Sequence, residues 1–213
     1  MIKYSPFDNL NVNETAEIRT CLCTSEKIYN KGDIIMQLDE FAEQLGIIDA
    51  GIAYLIRIDS YGNRSIIDYY EKGDIFGKKL SPGSEKDAYY IYAKEKCNVV
   101  FINFERLLKK CEKNCNKHTT LLNNLLMLSL QKSQMHIDIL SQRTIRQKVI
   151  TYFEYLQNKN LSDTIVLPLS LSDLAEYLSV DRSAMMREIK KLKDENIILA
   201  DGNKFVVKNN RYA

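Results

Sequence analysis

No tryptophan occurs in the 213 residues, and there are only 3 prolines, 8 glycines and 2 histidines. So little proline and glycine excludes a collagen-like chain, and 45% apolar with 27% charged residues is the composition of an ordinary folded protein. Long apolar runs are also missing. The richest stretch, Leu121 to Leu130, is broken by Asn123, Asn124 and Ser129 and falls far short of the ~20 apolar residues of a membrane span. The opening Met1-Ile2-Lys3-Tyr4-Ser5-Pro6 has no basic segment leading into an apolar one, so neither a secretory signal nor a membrane partner is expected. The 5 cysteines, at 21, 23, 97, 111 and 115, are odd in number and irregular in spacing. That argues for a reducing cytoplasm rather than a disulfide framework.

Enzyme signatures are absent too: there is no G-x-x-x-x-G-K, G-x-G-x-x-G, H-E-x-x-H or G-x-S-x-G. His118 and His136 stand on one expected helix, roughly 27 Å apart at about 1.5 Å per residue, so they cannot share a ligand within the chain. With two such distant histidines, a Ser–His or Cys–His centre has few places to form. No catalytic residue, no metal site and no firm cofactor is expected.

What is present points to two parts. The length suits one large domain or two small ones. In the first half, Ile34-Ile35-Met36 follows the turn Lys31-Gly32-Asp33. Ile52, Tyr54, Ile56 and Ile58 alternate at period two, and Tyr61-Gly62-Asn63 has the residues of a tight hairpin. Ser65 to Tyr70, Ile75-Phe76, Ala88 to Ala93 and Asn98 to Asn103 complete a series of short strands. Turn signals recur every ~8–12 residues, the pattern of a sandwich or barrel. At Asn103, a plausible N-cap, the period changes to helical.

From Cys115 to Leu140 there is no glycine or proline. Leu121, Leu125, Leu128, Met135 and Ile139 form a heptad stripe, with Leu122 and Leu126 as a shorter one beside it. One stripe is expected on the β domain and the other on a partner helix, which makes Leu121, Leu125, Leu128, Met135 and Ile139 the candidate dimerisation residues of a homodimer. A further helix carries Ile145, Val149, Tyr152, Phe153 and Leu156. Next, Ser170, three residues before Asp173, opens a short helix through Leu178. Ser179-Val180-Asp181 then forms a turn, and Asp181 caps a basic helix, Arg182 to Lys193. Ile197 to Ala200 and Lys204 to Val207 flank Asp201-Gly202-Asn203 as a wing.

The charge is distributed accordingly. Overall there are 30 Lys and Arg against 28 Asp and Glu, a net +2 that announces no nucleic-acid partner. Residues 1–140 hold 18 basic and 19 acidic side chains, residues 141–213 hold 12 and 9, and the helix 182–193 alone holds 5 and 1. The helix-turn-helix therefore carries the positive charge that would meet phosphates of double-stranded DNA. Arg182, Ser183 and Arg187 are the candidate base contacts, and Ser170, Lys190, Lys191 and Lys204 the candidate phosphate contacts.

This order of parts resembles the Crp/Fnr family of bacterial transcription regulators over nearly the whole chain. Ile48-Asp49-Ala50-Gly51-Ile52-Ala53 is similar to the family's I-x-x-G-x-V segment, and Lys72-Gly73-Asp74-Ile75-Phe76-Gly77 to its P-G-D-x-F-G element. Leu174-Ala175-Glu176-Tyr177-Leu178 with Asp181-Arg182-Ser183 and Arg187 resembles its DNA-reading unit. The resemblance implies an α+β fold: an N-terminal cyclic-nucleotide-binding-like β-roll (1–114), a long dimerisation helix (115–140) and a C-terminal winged helix-turn-helix (141–213). It implies an effector pocket at Phe76, Gly77, Lys78, Lys79, Lys86 and Leu122, and RNA polymerase as a partner if the protein is an activator.

Two departures bear on the effector. Where cyclic-AMP-binding members have Glu after Phe-Gly, this chain has Lys78, which cannot accept from a ribose hydroxyl. The Arg-Ser place holds Lys86-Asp87. The expected signal is therefore an unidentified small-molecule effector other than cyclic AMP, with an anionic one open to the three lysines. Two alternatives stand beside this reading. One is a small-molecule-binding module acting through protein contacts. The other is a haem or iron–sulfur sensor using His118 or the cysteines, which are otherwise incidental thiols.

Overall fold

The computed structural model describes residues 12–38, 43–77, 87–109, 116–201 and 204–208. They form two compact units that divide between Gln131 and Lys132.

The first unit begins with helix α1 (Val12–Cys21). Eight strands follow: β1 (Ser25–Tyr29), β2 (Ile34–Gln37), β3 (Gln44–Ala50), β4 (Ala53–Ile58), β5 (Arg64–Tyr70), β6 (Ile75–Phe76), β7 (Ala88–Ala93) and β8 (Cys97–Asn103). They make two four-stranded sheets, ordered β1-β8-β3-β6 and β2-β7-β4-β5, with antiparallel pairing throughout. Strand alternation explains how they stack. On the first sheet, Ile48, Phe76, Val99 and Phe101 face a core shared with Leu55, Tyr89 and Ile91 of the second sheet. Their neighbours Leu45, Ile47, Ile75, Val100 and Ile102 face the other way. There they pack under Ile18 and Leu22 beside α1, Leu107 of α2 (Phe104–Leu108), and Leu121 and Leu125 of α3 (Lys117–Ser141). Strand β4 is buried on both faces, Ala53, Tyr54, Leu55 and Ile56 alike, so its period-two pattern does not mark a wet side.

Two glycines are required by close approach. A Cβ on Gly46 would lie 2.2 Å from the Phe76 ring, and one on Gly51, at φ +90°, would lie 2.3 Å from the Lys96 carbonyl. The β4–β5 hairpin is held by Asp59, whose carboxylate accepts from the backbone N–H of Tyr61 and Asn63 and from the Asn63 amide. Those bonds, the Asn63 side chain foremost, hold the Asp59 carboxyl below its ordinary value. Asn103 caps α2 as its sequence position suggests, accepting from Arg106 N at 3.0 Å.

The second unit contains the C-terminal part of α3, then α4 (Ile145–Asn160), β9 (Thr164–Val166), α5 (Leu171–Tyr177), α6 (Arg182–Asp194), β10 (Ile198–Asp201) and β11 (Lys204–Val207). Thr144 and Gln147 close a capping box at the start of α4. The wing is a three-stranded antiparallel sheet, β10-β11-β9, so the extended piece before the helix-turn-helix belongs to it. Phe153 of α4 stacks tilted on Phe205 of β11, with centroids 5.0 Å apart. Tyr152 meets Tyr177 edge-on at 5.7 Å. His136 lies flat on Tyr177 at 4.1 Å, its Nε2 3.2 Å from the Tyr177 carbonyl oxygen.

Candidate nucleic-acid interface

Helix α6 is built to present one face. Met185, Ile189 and Leu192 are buried, while Arg182, Ser183, Met186, Arg187 and Lys190 are exposed along the opposite side. Asp181 fixes where the helix begins, its carboxylate accepting from Ala184 N at 2.7 Å. The turn before it is set by Ser179 at φ +52°, with Val180 N donating to the Ala175 carbonyl at 3.0 Å. Ala175 is buried there, where a larger side chain would hold the helices apart. The Lys148 ammonium donates to the Leu178 carbonyl at 3.1 Å and so satisfies the end of α5. At the far end of α6, Arg146 forks onto both oxygens of Glu195. Those bonds lower the Glu195 carboxyl below its ordinary value and raise the Arg146 guanidinium.

The candidate contacts differ in what they have free. Arg182, Ser183 and Arg187 share the exposed face as the spacing predicts. Lys190 continues it, whereas the Lys191 ammonium is 2.7 Å from Glu188 Oε1, an ion pair that a phosphate would have to replace. Ser170 is otherwise engaged. Its hydroxyl donates to the Asp173 carboxylate at 2.7 Å and accepts from Asp173 N at 3.2 Å. That side chain serves the helix cap, and the acid beside it is unfavourable to a phosphate. Lys204 is exposed at the start of β11, paired in register with Asp201. Met186 was not singled out by its sequence. Its exposed thioether lies between Arg182 and Lys190, at a position suited to apolar contact with a thymine methyl.

The stripe on α3 needs correcting. Leu121 and Leu125 are buried in the β-domain core and Ile139 is buried as well, while Leu128 and Met135 are half-buried. The apolar side chains that α3 leaves exposed are Leu126, Met127, Leu130 and Ile137. That exposed set shares only Leu126 with the shorter stripe expected from the sequence, and the stripe read as the dimer seam is partly spent inside the chain.

Of the effector residues that are described, Leu122 lies apart from Phe76 and Gly77. Phe76 fills the core between the two sheets, against Tyr70 at 5.5 Å and Phe101 at 6.5 Å. Gly77 has no room for a Cβ beside Leu45. Leu122 packs with the helices on the opposite side of the sheet. Lys78, Lys79 and Lys86 lie outside the described residues. A cation that was overlooked does face the space between the sheets. Arg57 pairs with Tyr89 in register with Leu55–Ile91 and Ala53–Ala93, all inward positions, and its Nε is buried with no partner among the described residues.

Of the cysteines, Cys97 is buried. Its thiol donates to the carbonyls of Ile52 and Glu95, and burial raises it above its ordinary value. Cys111 and Cys115, two of the cysteines open to an iron–sulfur reading, lie outside the described residues. Both ring nitrogens of His118 are engaged, by the Lys109 carbonyl and by Cys21.

Among the described residues no helix is long and apolar enough to cross a membrane. Residues 26–114 match the model of the cyclic nucleotide-binding domain. Over 191 residues the chain is 23% identical to the nitrogen fixation regulation protein FixK of Bradyrhizobium diazoefficiens, covering 87% of this chain and 79% of FixK. It is 22% identical to the cAMP-activated global transcriptional regulator CRP of Escherichia coli O6:H1, covering 87% and 90%. The solved structure of FixK2 from Bradyrhizobium japonicum superposes with a TM-score of 0.68 at 23% identity, covering 87% and 93%. A β-roll whose residues 26–114 match the cyclic nucleotide-binding domain, a long helix and a winged helix-turn-helix stand in an order similar to that of these regulators of the Crp/Fnr family.

Proposed function

We propose that the protein is a DNA-binding transcription regulator that acts as a homodimer on an inverted-repeat site and answers a signal received in the β-roll. The observation that carries this reading is the exposed face of α6, where Arg182, Ser183, Met186, Arg187 and Lys190 stand together above a buried Met185–Ile189–Leu192 seam. Arg182, Ser183 and Arg187 read base edges, and Lys190 with Lys204 meets phosphates. Dimerisation through the exposed stripe of α3 places two such helices on half-sites about one helical turn apart. RNA polymerase is a further partner if the regulator activates.

The effector is an anion other than cyclic AMP. Supporting this are Arg57, whose Nε is buried with no partner among the described residues, and Lys78 and Lys86, which stand where cyclic-AMP binders carry Glu and the Arg of Arg-Ser. No covalent chemistry is asked of the site.

The test is fluorescence anisotropy on promoter fragments at several salt concentrations. Arg187→Ala relaxes preference at one base position, by about 1–3 kcal/mol. Lys190→Ala weakens all fragments alike and lowers the salt slope by about one. Binding by both variants that is indistinguishable from wild type on every fragment refutes the assignment of α6, and salt-independent binding redirects the winged helix to a protein partner.

A further inference from the structure

Cys21 ends α1, and its sulfur stands 3.2 Å from His118 Nε2 near the start of α3. His118 is the buried polar side chain of the described core, 7% exposed, while Cys21 is open to solvent. The other ring nitrogen, Nδ1, lies 3.0 Å from the Lys109 carbonyl oxygen. A carbonyl has no proton to give, so Nδ1 carries the hydrogen and Nε2 presents its lone pair to the thiol. This is the nucleophile, base and orienting acceptor arrangement that activates a cysteine. Cys23 is also exposed, at φ +48° in the turn after the helix, and its sulfur accepts from Arg106 Nη1 at 2.8 Å. Neither function assigned to α6 nor the effector reading uses these groups.

We propose that Cys21 and Cys23 form an oxidant-reactive modification site, with hydroperoxides as the substrate class. Cys21 passes its proton to His118 Nε2, and the thiolate attacks the peroxide. The S–O bond forms as the O–O bond breaks, and the imidazolium proton goes to the departing alkoxide or hydroxide. The Cys23 thiolate then attacks the sulfenic sulfur, and hydroxide leaves as water with the proton Cys23 gave up. Two thiols are oxidised by two electrons to a disulfide, and one peroxide is reduced to an alcohol, or to water from hydrogen peroxide, with a second water released.

Cys21 is the last residue of α1 and Cys23 stands two residues on at φ +48°, so the two sulfurs meet different partners, His118 and Arg106. Closing the bond therefore requires the last turn of α1 to rewind. Leu22, between the two cysteines, is fully buried in the cluster it shares with Leu121 and Leu125 of α3, so the rewinding is transmitted to that core.

The experiment is peptide mapping of the full-length protein after a short exposure to hydrogen peroxide at pH 7, with and without dimedone. Trypsin releases residues 20–27, which contain both cysteines and no other. The expected result is loss of two hydrogens within that peptide while Cys97 stays reduced, and a dimedone adduct on Cys21 in Cys23→Ser. A thiol of ordinary acidity is about 3% ionised at pH 7, so His118→Gln slows the Cys21 reaction between about five- and thirtyfold. Wild-type Cys21 reacting no faster than Cys97 overturns the proposal, whatever the variants' folding. So does a disulfide that joins Cys21 to a cysteine other than Cys23.

Discussion

Replacing Leu130 by serine separates the two stripes of α3 in a single measurement. Leu130 is 52% exposed within the chain. Full burial of such a side chain is worth about 1.5–3 kcal/mol, so an interface that covers the open half gains roughly 0.8–1.5 kcal/mol per copy. A two-fold interface uses the same patch on both protomers, which doubles the effect to about 1.5–3 kcal/mol per dimer. That corresponds to a dimer Kd raised about 10- to 150-fold, read by sedimentation equilibrium across a dilution series. Ile137, at 67% exposed, should show a slightly larger effect. Folding should suffer less than from the loss of a core leucine, because about half of this side chain is already open to solvent. Leu125→Ala is the counterpart: at 2% exposed inside the β-domain cluster, it should cost about 2–5 kcal/mol of stability while leaving the interface side chains in place. A Leu130→Ser protein that dimerises like wild type refutes the seam. A protein that loses its melting transition instead refutes the assumption that the face is open.

Gly46→Ala should lower the melting temperature by a cost of about 1–3 kcal/mol, since its Cβ would enter the Phe76 ring, and Phe76→Leu in the same chain should recover part of the loss. Glu195 has a folded-state value lowered by Arg146, so its contribution to stability is complete above the unfolded-state value and is lost as pH falls through the folded one. Denaturant titrations of Glu195→Gln should therefore show a flatter acid limb than wild type, and an unchanged limb contradicts the ion pair. Arg57→Met should abolish the thermal upshift that an anionic effector gives while leaving DNA affinity without effector unchanged, and an upshift retained in full removes Arg57 from the site.

Much of the fold was legible because its signals are local. Asn103, Ser170 and Asp181 are short polar side chains placed where a helix must begin, and each caps as its position suggests. The wing was visible as two β-rich runs around a turn, although its third strand, β9, was not, since Thr164 to Val166 pairs with residues about forty positions away. Helix α1 and strand β1 escaped for a different reason. Val12–Cys21 has few apolar side chains, and Ser25–Tyr29 is an edge strand exposed along most of its length, so neither shows a period. A Cys–His centre looked improbable with two distant histidines. It forms because packing brings positions 21 and 118 together, which no spacing announces.

The sequence by itself determined the order of parts, the basic face of α6 and the helical apolar period of α3, because caps, periods and local charge act over a few residues. Only the tertiary structure decided which stripe is spent. Leu121 and Leu125 face the sheet while Leu126, Leu130 and Ile137 do not, and a heptad pattern is the same whichever partner it meets. The same holds for the chemistry. Arg57 faces inward because its register with Tyr89 puts it there, and Cys21 has a base because α1 and α3 lie on one side of the same sheet. Both depend on neighbours distant in sequence, and those exist only once the chain has folded.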